Sequence, residues 1–235
     1  MFRIKRDPAK LLGRAVARST RPFGAATEGT LLMTKIDLKK HLKHLYKPSA
    51  KEVTSVDVPN MKFLMIDGRG NPNTSKQYAE AIEALYGLAY ALKFKIKKGE
   101  IGIDYGVMPL EGLWWADDTS QFNVNNKEAW NWTMMIMQPE YVTAKLVAEA
   151  MSEVGKKKKL TALGKTRFES YGEGSAAQIM HVGPYADEGP TIAKLHEFIT
   201  RLGRQACGKH HEIYLGDPRK TAPAKLQTVI RQPCK

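Results

Sequence analysis

Apolar and polar positions divide the chain into short strand-like runs and longer helical stripes. From Ile36 to Tyr46 a short basic stretch reads as helix and stops at Lys47-Pro48. Residues 49–60 read as a connector closed by Pro59, and Lys62-Phe63-Leu64-Met65-Ile66-Asp67-Gly68 reads as a buried strand stopped by glycine. A loop at 69–74 follows, with Thr74 or Ser75 as a cap. Tyr78, Ile82, Leu85, Ala89, Leu92 and Ile96 then recur at intervals of 4, 3, 4, 3 and 4, which draws one face of a long helix. Lys97-Lys98-Gly99 ends it with cations at the negative end of the dipole and a glycine stop.

Residues 105–115 have strand composition, but Pro109 and Gly112 suggest a bulge or an edge. Trp130–Met137 reads as the next strand, ended by Pro139, and Tyr141, Ala144, Ala148 and Met151 mark a second amphipathic helix. The run Gly155-Lys156-Lys157-Lys158-Lys159 reads as an internal linker. After it the order repeats. Arg167–His181 is strand-like, with Gly172 and Gly174 as a turn or bulge. Ile192, Leu195, Ile199 and Leu202 form a helix face, Glu212–Leu215 is a strand, Gly216–Arg219 a turn, and Leu226–Arg231 the last strand. The pattern predicts an α+β fold. Two strand–helix–strand–strand modules, residues 61–152 and 160–235, form one domain over 33–235, with antiparallel sheets, helices on one face and a central ligand cavity.

The hydrophobic fraction is 43%, and no apolar run approaches the roughly 20 residues of a membrane span. A soluble protein without a membrane partner is therefore expected. Cys207 and Cys234 form no CxxC pair, which suits a reducing compartment and a cytoplasmic location. The net charge of +13 raises nucleic acid as a partner. That charge is spread over residues 1–32, over Lys39, Lys40, Lys43 and Lys47, and over Lys156–Lys159. No nucleic-acid module accompanies it, so solvated faces are the favoured reading. Residues 1–32 are Arg-rich with only Asp7 and Glu28 as acids, and they lack the apolar core of a secretory signal. Three readings stand: a tail, an organellar targeting segment, or a stretch upstream of a true start at Met33. Poor order is expected there.

Candidate chemistry gathers on a few strands. Alternation puts His210, Glu212 and Tyr214 on one face of their strand and His211, Ile213 and Leu215 on the other. Ile213 and Leu215 suit a core beneath the helices, so Glu212 is expected on the opposite side, facing a cavity. A carboxylate walled by Trp and Tyr attracts a cation, and enclosure raises its pKa towards general-base work on water. The competing reading is a carboxylate on an exposed sheet face. Trp114, Trp115, Trp130 and Trp132 lie on two predicted strands. Trp115 and Trp132 are expected to line the cavity, with Tyr105, Tyr171, Trp114, Met134 and Tyr214 as further lining residues. Core packing is the alternative for each. Tyr185 follows a Gly-Pro turn, where it either donates to a ligand or pins the turn. His210 and His211 point to opposite faces and cannot chelate together. No HExxH, Cys/His cluster, phosphate loop or Gly-x-Ser-x-Gly elbow occurs, so neither metal nor cofactor is expected.

Several stretches carry a family resemblance. His181-Val182-Gly183-Pro184-Tyr185-Ala186-Asp187-Glu188 resembles the turn before the second helix of GyrI-like domains. His211–Arg219 resembles their penultimate strand and turn, and Leu226–Pro233 their closing strand. Pro109–Trp115 and Trp132–Pro139 are similar to the free-standing branch of that family. The resemblance covers roughly residues 33–235. It implies paired strand–helix–strand–strand modules around a cavity and a hydrophobic or cationic aromatic small molecule as partner. Multidrug-sensing effector domains belong to this family, as do hydrolases that open the cyclopropane ring of DNA-alkylating toxins. It also implies Glu212 as the central polar residue. No helix-turn-helix precedes the module, which favours a stand-alone role. The expected function is hydrolysis or sequestration of an aromatic, cyclopropanoid-type toxin, hence toxin resistance, with Glu212 and Tyr185 as catalytic residues. A binding-only sensor and a nucleic-acid or gyrase-associated protein are the alternatives.

Overall fold

A computed structural model describes residues 35–118 and 126–235. The expectations for residues 1–32 lie outside the described residues. Two short helical turns open the described chain, α1 (Leu38–His41) and α2 (Lys43–Tyr46). Then come β1 (Thr54–Val58), β2 (Met61–Arg69), α3 (Lys76–Lys98), β3 (Leu110–Trp115), β4 (Asn131–Gln138) and α4 (Ala144–Lys157). β5 (Arg167–Tyr171), β6 (Gly174–Val182), α5 (Gly189–Arg201), β7 (His210–Tyr214) and β8 (Gln227–Pro233) complete the fold.

Local chemistry accounts for the helix ends. The Ser75 hydroxyl accepts from the Tyr78 amide at the start of α3, and Gly99 caps its end. Thr143 does the same for α4 through the Leu146 amide. The lysine run expected as a linker instead supplies the last turn of α4 with Lys156 and Lys157, where cations favour the helix dipole. The expected connector at 49–60 holds β1, a strand with one exposed face whose short TSVDV alternation gives only a weak signal. Among the described residues no helix is long and apolar enough to cross a membrane.

Among the described residues eight strands join one antiparallel sheet in the order β1-β6-β8-β7-β3-β4-β2-β5. The fold is α+β. Arg167–His181, expected as a single strand, splits into β5 and β6 at opposite ends of that order. β1 and β2 likewise run from one end of the sheet to the other. Their ladders are continuous in register: Val58 faces Gly174 in β6, and three residues on, Met61 faces Tyr171 in β5. A two-stranded ribbon thus bends at residues 59–60 and 172–173 and ties the sheet's two ends together, which curls it. Gly172 is required at that corner, because a Cβ there would sit 2.6 Å from Asn60 Oδ1 and 2.9 Å from its backbone nitrogen.

The inner face of the curl is filled by Phe63, Met65, Met135, Leu113, Ile213 and Val229, with Leu45 and Tyr46 of α2 plugging the opening. Beside this apolar fill runs a buried charge network. His211 on β7 sits between two carboxylates, with Nδ1 2.9 Å from Glu173 Oε2 and Nε2 3.1 Å from Glu111 Oε2. Two acceptors on the two ring nitrogens are both satisfied only by the doubly protonated ring. Arg231 donates to the same Glu173 oxygen at 3.1 Å, to Gln178, and to the Leu45 carbonyl at 2.7 Å, while the Tyr46 hydroxyl donates to Glu111 at 2.8 Å. Two anions therefore meet two cations, and the network ties α2 to the sheet.

Burial alone would push His211 down, but the charges and hydrogen bonds of Glu173 and Glu111 carry it up to about 9. A raised histidine pKa gives stability that is full below the unfolded value of about 6.5 and is lost as pH rises through the folded value. The His211 ring resonance is therefore expected to titrate near pH 9 by NMR, with unfolding free energy falling from pH 7 to pH 10. A ring that titrates near 6.5 would contradict the paired imidazolium.

Candidate functional site

α3 packs over β2 and β4, and α5 packs over β6 and β8. The strands left between them in sheet order are β7 and β3, so these two floor a groove walled by the two helices. Pairing fixes which side chains face it. Glu212 lies opposite Gly112 and Ile230, His210 opposite Trp114, and Tyr214 opposite Leu110 and Thr228. Ile230 packs with Leu195 and Ile199 of α5, and Trp114 meets Tyr78 of α3 at 6.0 Å between rings. Glu212 therefore shares the face that carries both helices. Alternation sorted the residues of β7 into faces correctly, but Ile213 serves the inner core of the curl and not a core beneath the helices. The helical core spares the two central strands, which leaves room there for a polar group.

Glu212 is the centre of this floor. Its side chain is 15% exposed, Oε2 accepts from the Tyr214 hydroxyl at 2.7 Å, and Oε1 lies 3.4 Å from His210 Nε2. Burial raises its pKa, but the hydrogen bonds and charges of His210, Tyr214 and His211 outweigh that and hold it below the usual carboxylate range. The Tyr214 hydroxyl in turn accepts from the Trp114 indole at 3.2 Å, giving a chain from indole to phenol to carboxylate. This chain depends on a bare floor opposite Glu212. A Cβ on Gly112 would stand 2.8 Å from Trp114 Nε1 and 3.2 Å from the Tyr214 oxygen.

Aromatic rings wall the carboxylate. Tyr185, on the short turn Tyr185–Asp187 before α5, meets Tyr214 edge-on at 5.5 Å and is 38% exposed at the groove's mouth. Burial and the charges of Glu188 and Glu212 push the Tyr185 phenol up, so it stays a donor at neutral pH. A second carboxylate, Glu188, is 5% exposed at the start of α5. A separate cleft of about 560 Å³ lies between α3 and α4, lined by Tyr90, Phe94, Lys95, Lys98 and Lys157. Lys95 there is a helix-surface group bonded to Glu153 and Glu149. Among the described residues no group of three His, Cys, Asp or Glu is placed to hold a metal.

Residues 51–235 of the chain match a known family described as the GyrI-like small molecule binding domain. The chain belongs to the GyrI-like family. An uncharacterised conserved protein from Listeria innocua has a similar structure, with 36% identity over 85% of this chain and all of its own, and a TM-score of 0.80. Two hydrolase structures from the same organism are each 37% identical, with TM-scores of 0.77 and 0.74 over 86% and 85% of this chain and all of their own. No curated protein matches.

Within this GyrI-like domain the expected site residues separate into three groups. Glu212, Tyr214, Trp114 and Tyr185 come together in the groove. Trp132 and Met134 share the helix-bearing face but are fully buried beneath α3, with the Trp132 ring 5.3 Å from that of Tyr78. The Trp132 indole lies across Gly68, where a Cβ would meet it at 2.2 Å. Trp115, Tyr171 and Tyr105 are not at the groove. Trp115 alternates to the inner face, where Lys209 lies 3.5 Å from its ring centroid, and Tyr171 packs edge-on against Phe63. Tyr105 is buried beside Tyr141 and pairs with Ile36. Sequence reasoning gave no site role to Tyr78, read as helix face, to Gly112, read as a bulge or edge, or to Glu188. Tyr78 opens the α3 stripe and Glu188 closes the Gly-Pro-Tyr motif, but pairing across the sheet is what brings them to Glu212.

Gly112→Ala is expected to break the bond between Trp114 and Tyr214 and to lower stability by about 1–3 kcal/mol, the usual effect of overpacking. Urea unfolding measures the loss and near-UV circular dichroism reports the displaced indole. An unchanged spectrum with unchanged stability would contradict the close approach.

Proposed function

We propose that the groove binds a hydrophobic aromatic small molecule and hydrolyses it, with Glu212 as the residue that orients water. The observation that carries this is an ionised carboxylate at 15% exposure on an aromatic floor, held by Tyr214 and His210. An enclosed anion of this kind is costly unless it serves a partner, and its supports fix its direction. The identity with the Listeria hydrolases over most of this chain supports hydrolytic chemistry.

The substrate class proposed is a polycyclic electrophile with a cyclopropane fused to a conjugated carbonyl. Its flat body stacks against Trp114, Tyr78 and Tyr214. Glu212 orients a water and takes its proton as the oxygen attacks the strained carbon. The ring carbon–carbon bond breaks, and its electron pair moves to the carbonyl oxygen, where Tyr185 donates a hydrogen bond. The proton held by Glu212 then returns to that oxygen, giving a neutral phenol and restoring the carboxylate.

Binding without turnover is the second reading. The ring faces around an anion favour it, because they accept a cationic ligand as readily as a neutral one. Mass spectrometry of a cyclopropanoid alkylator incubated with the protein and with Glu212→Gln separates the two. A product heavier by one water from wild type, reduced at least about 100-fold in the variant, is the expected result. Unchanged compound in both samples would overturn hydrolysis of this class and leave binding.

A further inference from the structure

We propose that Glu188 is a second ligand-binding carboxylate of the groove, and that an organic cation seated over Glu212 takes up its charge by displacing the Glu188 proton. This rests on the groove accepting organic cations, the ligand class named above for Glu212.

The placement is structural. Glu188 immediately precedes α5, where the turn before it lays Tyr185 against Tyr214 of the groove floor. That turn is held from β6 by His181, whose Nε2 lies 3.2 Å from the Pro184 carbonyl and whose Nδ1 lies 2.9 Å from the Thr191 hydroxyl. Gly183, at φ +143°, lets the chain turn over that histidine. Glu188 is 5% exposed, and its Oε1 is buried with no protein partner. Such an atom in a binding groove points to a ligand, because a buried polar group left alone costs about 1–3 kcal/mol.

The charges around Glu188 make it a proton carrier. Burial comes first and the charge of Glu212 second in pushing it up to about 8, so it is neutral at pH 7 while Glu212 is ionised. The Thr228 hydroxyl of β8 and the more distant Lys127, before β4, oppose this only in part. Tyr214 of β7 and Tyr185 of the same turn are phenols pushed upward by burial and then by the same anions, and stay neutral. Tyr78 of α3 behaves likewise, and His196 of α5, which faces His210, is held below the usual histidine range by its burial and by His210. Glu188 is thus the group beside Glu212 poised between pH 7 and 8. A cation arriving between the two carboxylates favours the ionised form of Glu188 and releases its proton. A binding-linked fall in pKa from about 8 makes affinity rise with pH below 8 and level off above it.

Tetraphenylphosphonium is the probe, titrated calorimetrically at pH 7 in two buffers of different ionisation enthalpy, and again from pH 6 to pH 9. Wild type is expected to release close to one proton per cation, with affinity rising up to about tenfold per pH unit between pH 6 and pH 8. Glu188→Gln is expected to bind with no proton release and a flat profile. Infrared difference spectroscopy of wild type gives the same answer without a variant, through loss of a protonated carboxyl band when the cation is added. Binding by wild type without proton release, or release that persists in Glu188→Gln, would overturn the role of Glu188 while leaving the groove a cation site. No binding by wild type would overturn both.

Discussion

Strand β7 carries a buried charge on each of its two faces, and everything at the groove depends on how those charges are held. Behind the strand, His211 bridges Glu111 and Glu173, and Arg231 completes a set with no net charge. In front, Glu212 rests on His210 and Tyr214. A buried network in which each charge meets an opposite charge fixes geometry, whereas an unpaired buried charge destabilises the fold. His211 also contributes positive charge to the back of Glu212, so the inner network helps keep the groove carboxylate ionised.

The arrangement of covering elements determines where that ionised group can be used. α3 packs over β2 and β4 and α5 over β6 and β8, so β7 and β3 lie between the two helices. Gly112, opposite Glu212, keeps the floor flat enough for the Trp114 indole to reach Tyr214. Flat aromatic walls with an anion at the base favour flat, electron-poor or cationic molecules through stacking and cation–π attraction. The curl tied by the β1–β2 and β5–β6 ribbon supplies a stiff frame, which suits a site whose distances must hold to fractions of an ångström.

Much of this was legible in the chain. The stripe from Tyr78 to Ile96 predicted α3, Ser75 and Gly99 marked its ends, and alternation sorted β7 correctly into its two faces. The motif around Glu212 and Tyr185 pointed to the family. Other features depend on contacts far apart in sequence. Nothing local in 49–60 distinguishes an edge strand from a connector, and nothing local in 167–181 shows that Gly172 turns the chain from one end of the sheet to the other. Trp115 and Trp132 looked equivalent as aromatics on neighbouring predicted strands. Strand parity sent the first to the inner face, and the small surface of Gly68 drew the second into the core beneath α3. Glu188 was visible only as the end of a motif, because its environment comes from β7 and β8.

The central claim is that the groove between α3 and α5 is the ligand site and that Glu212 is its anionic anchor. A crystal structure of the protein with tetraphenylphosphonium tests it most directly. The cation is expected over β7 and β3, with its phenyl rings against Tyr78, Trp114 and Tyr185 and the Glu212 carboxylate in contact. A cation bound elsewhere, such as the cleft between α3 and α4, with the groove unchanged, would contradict the account.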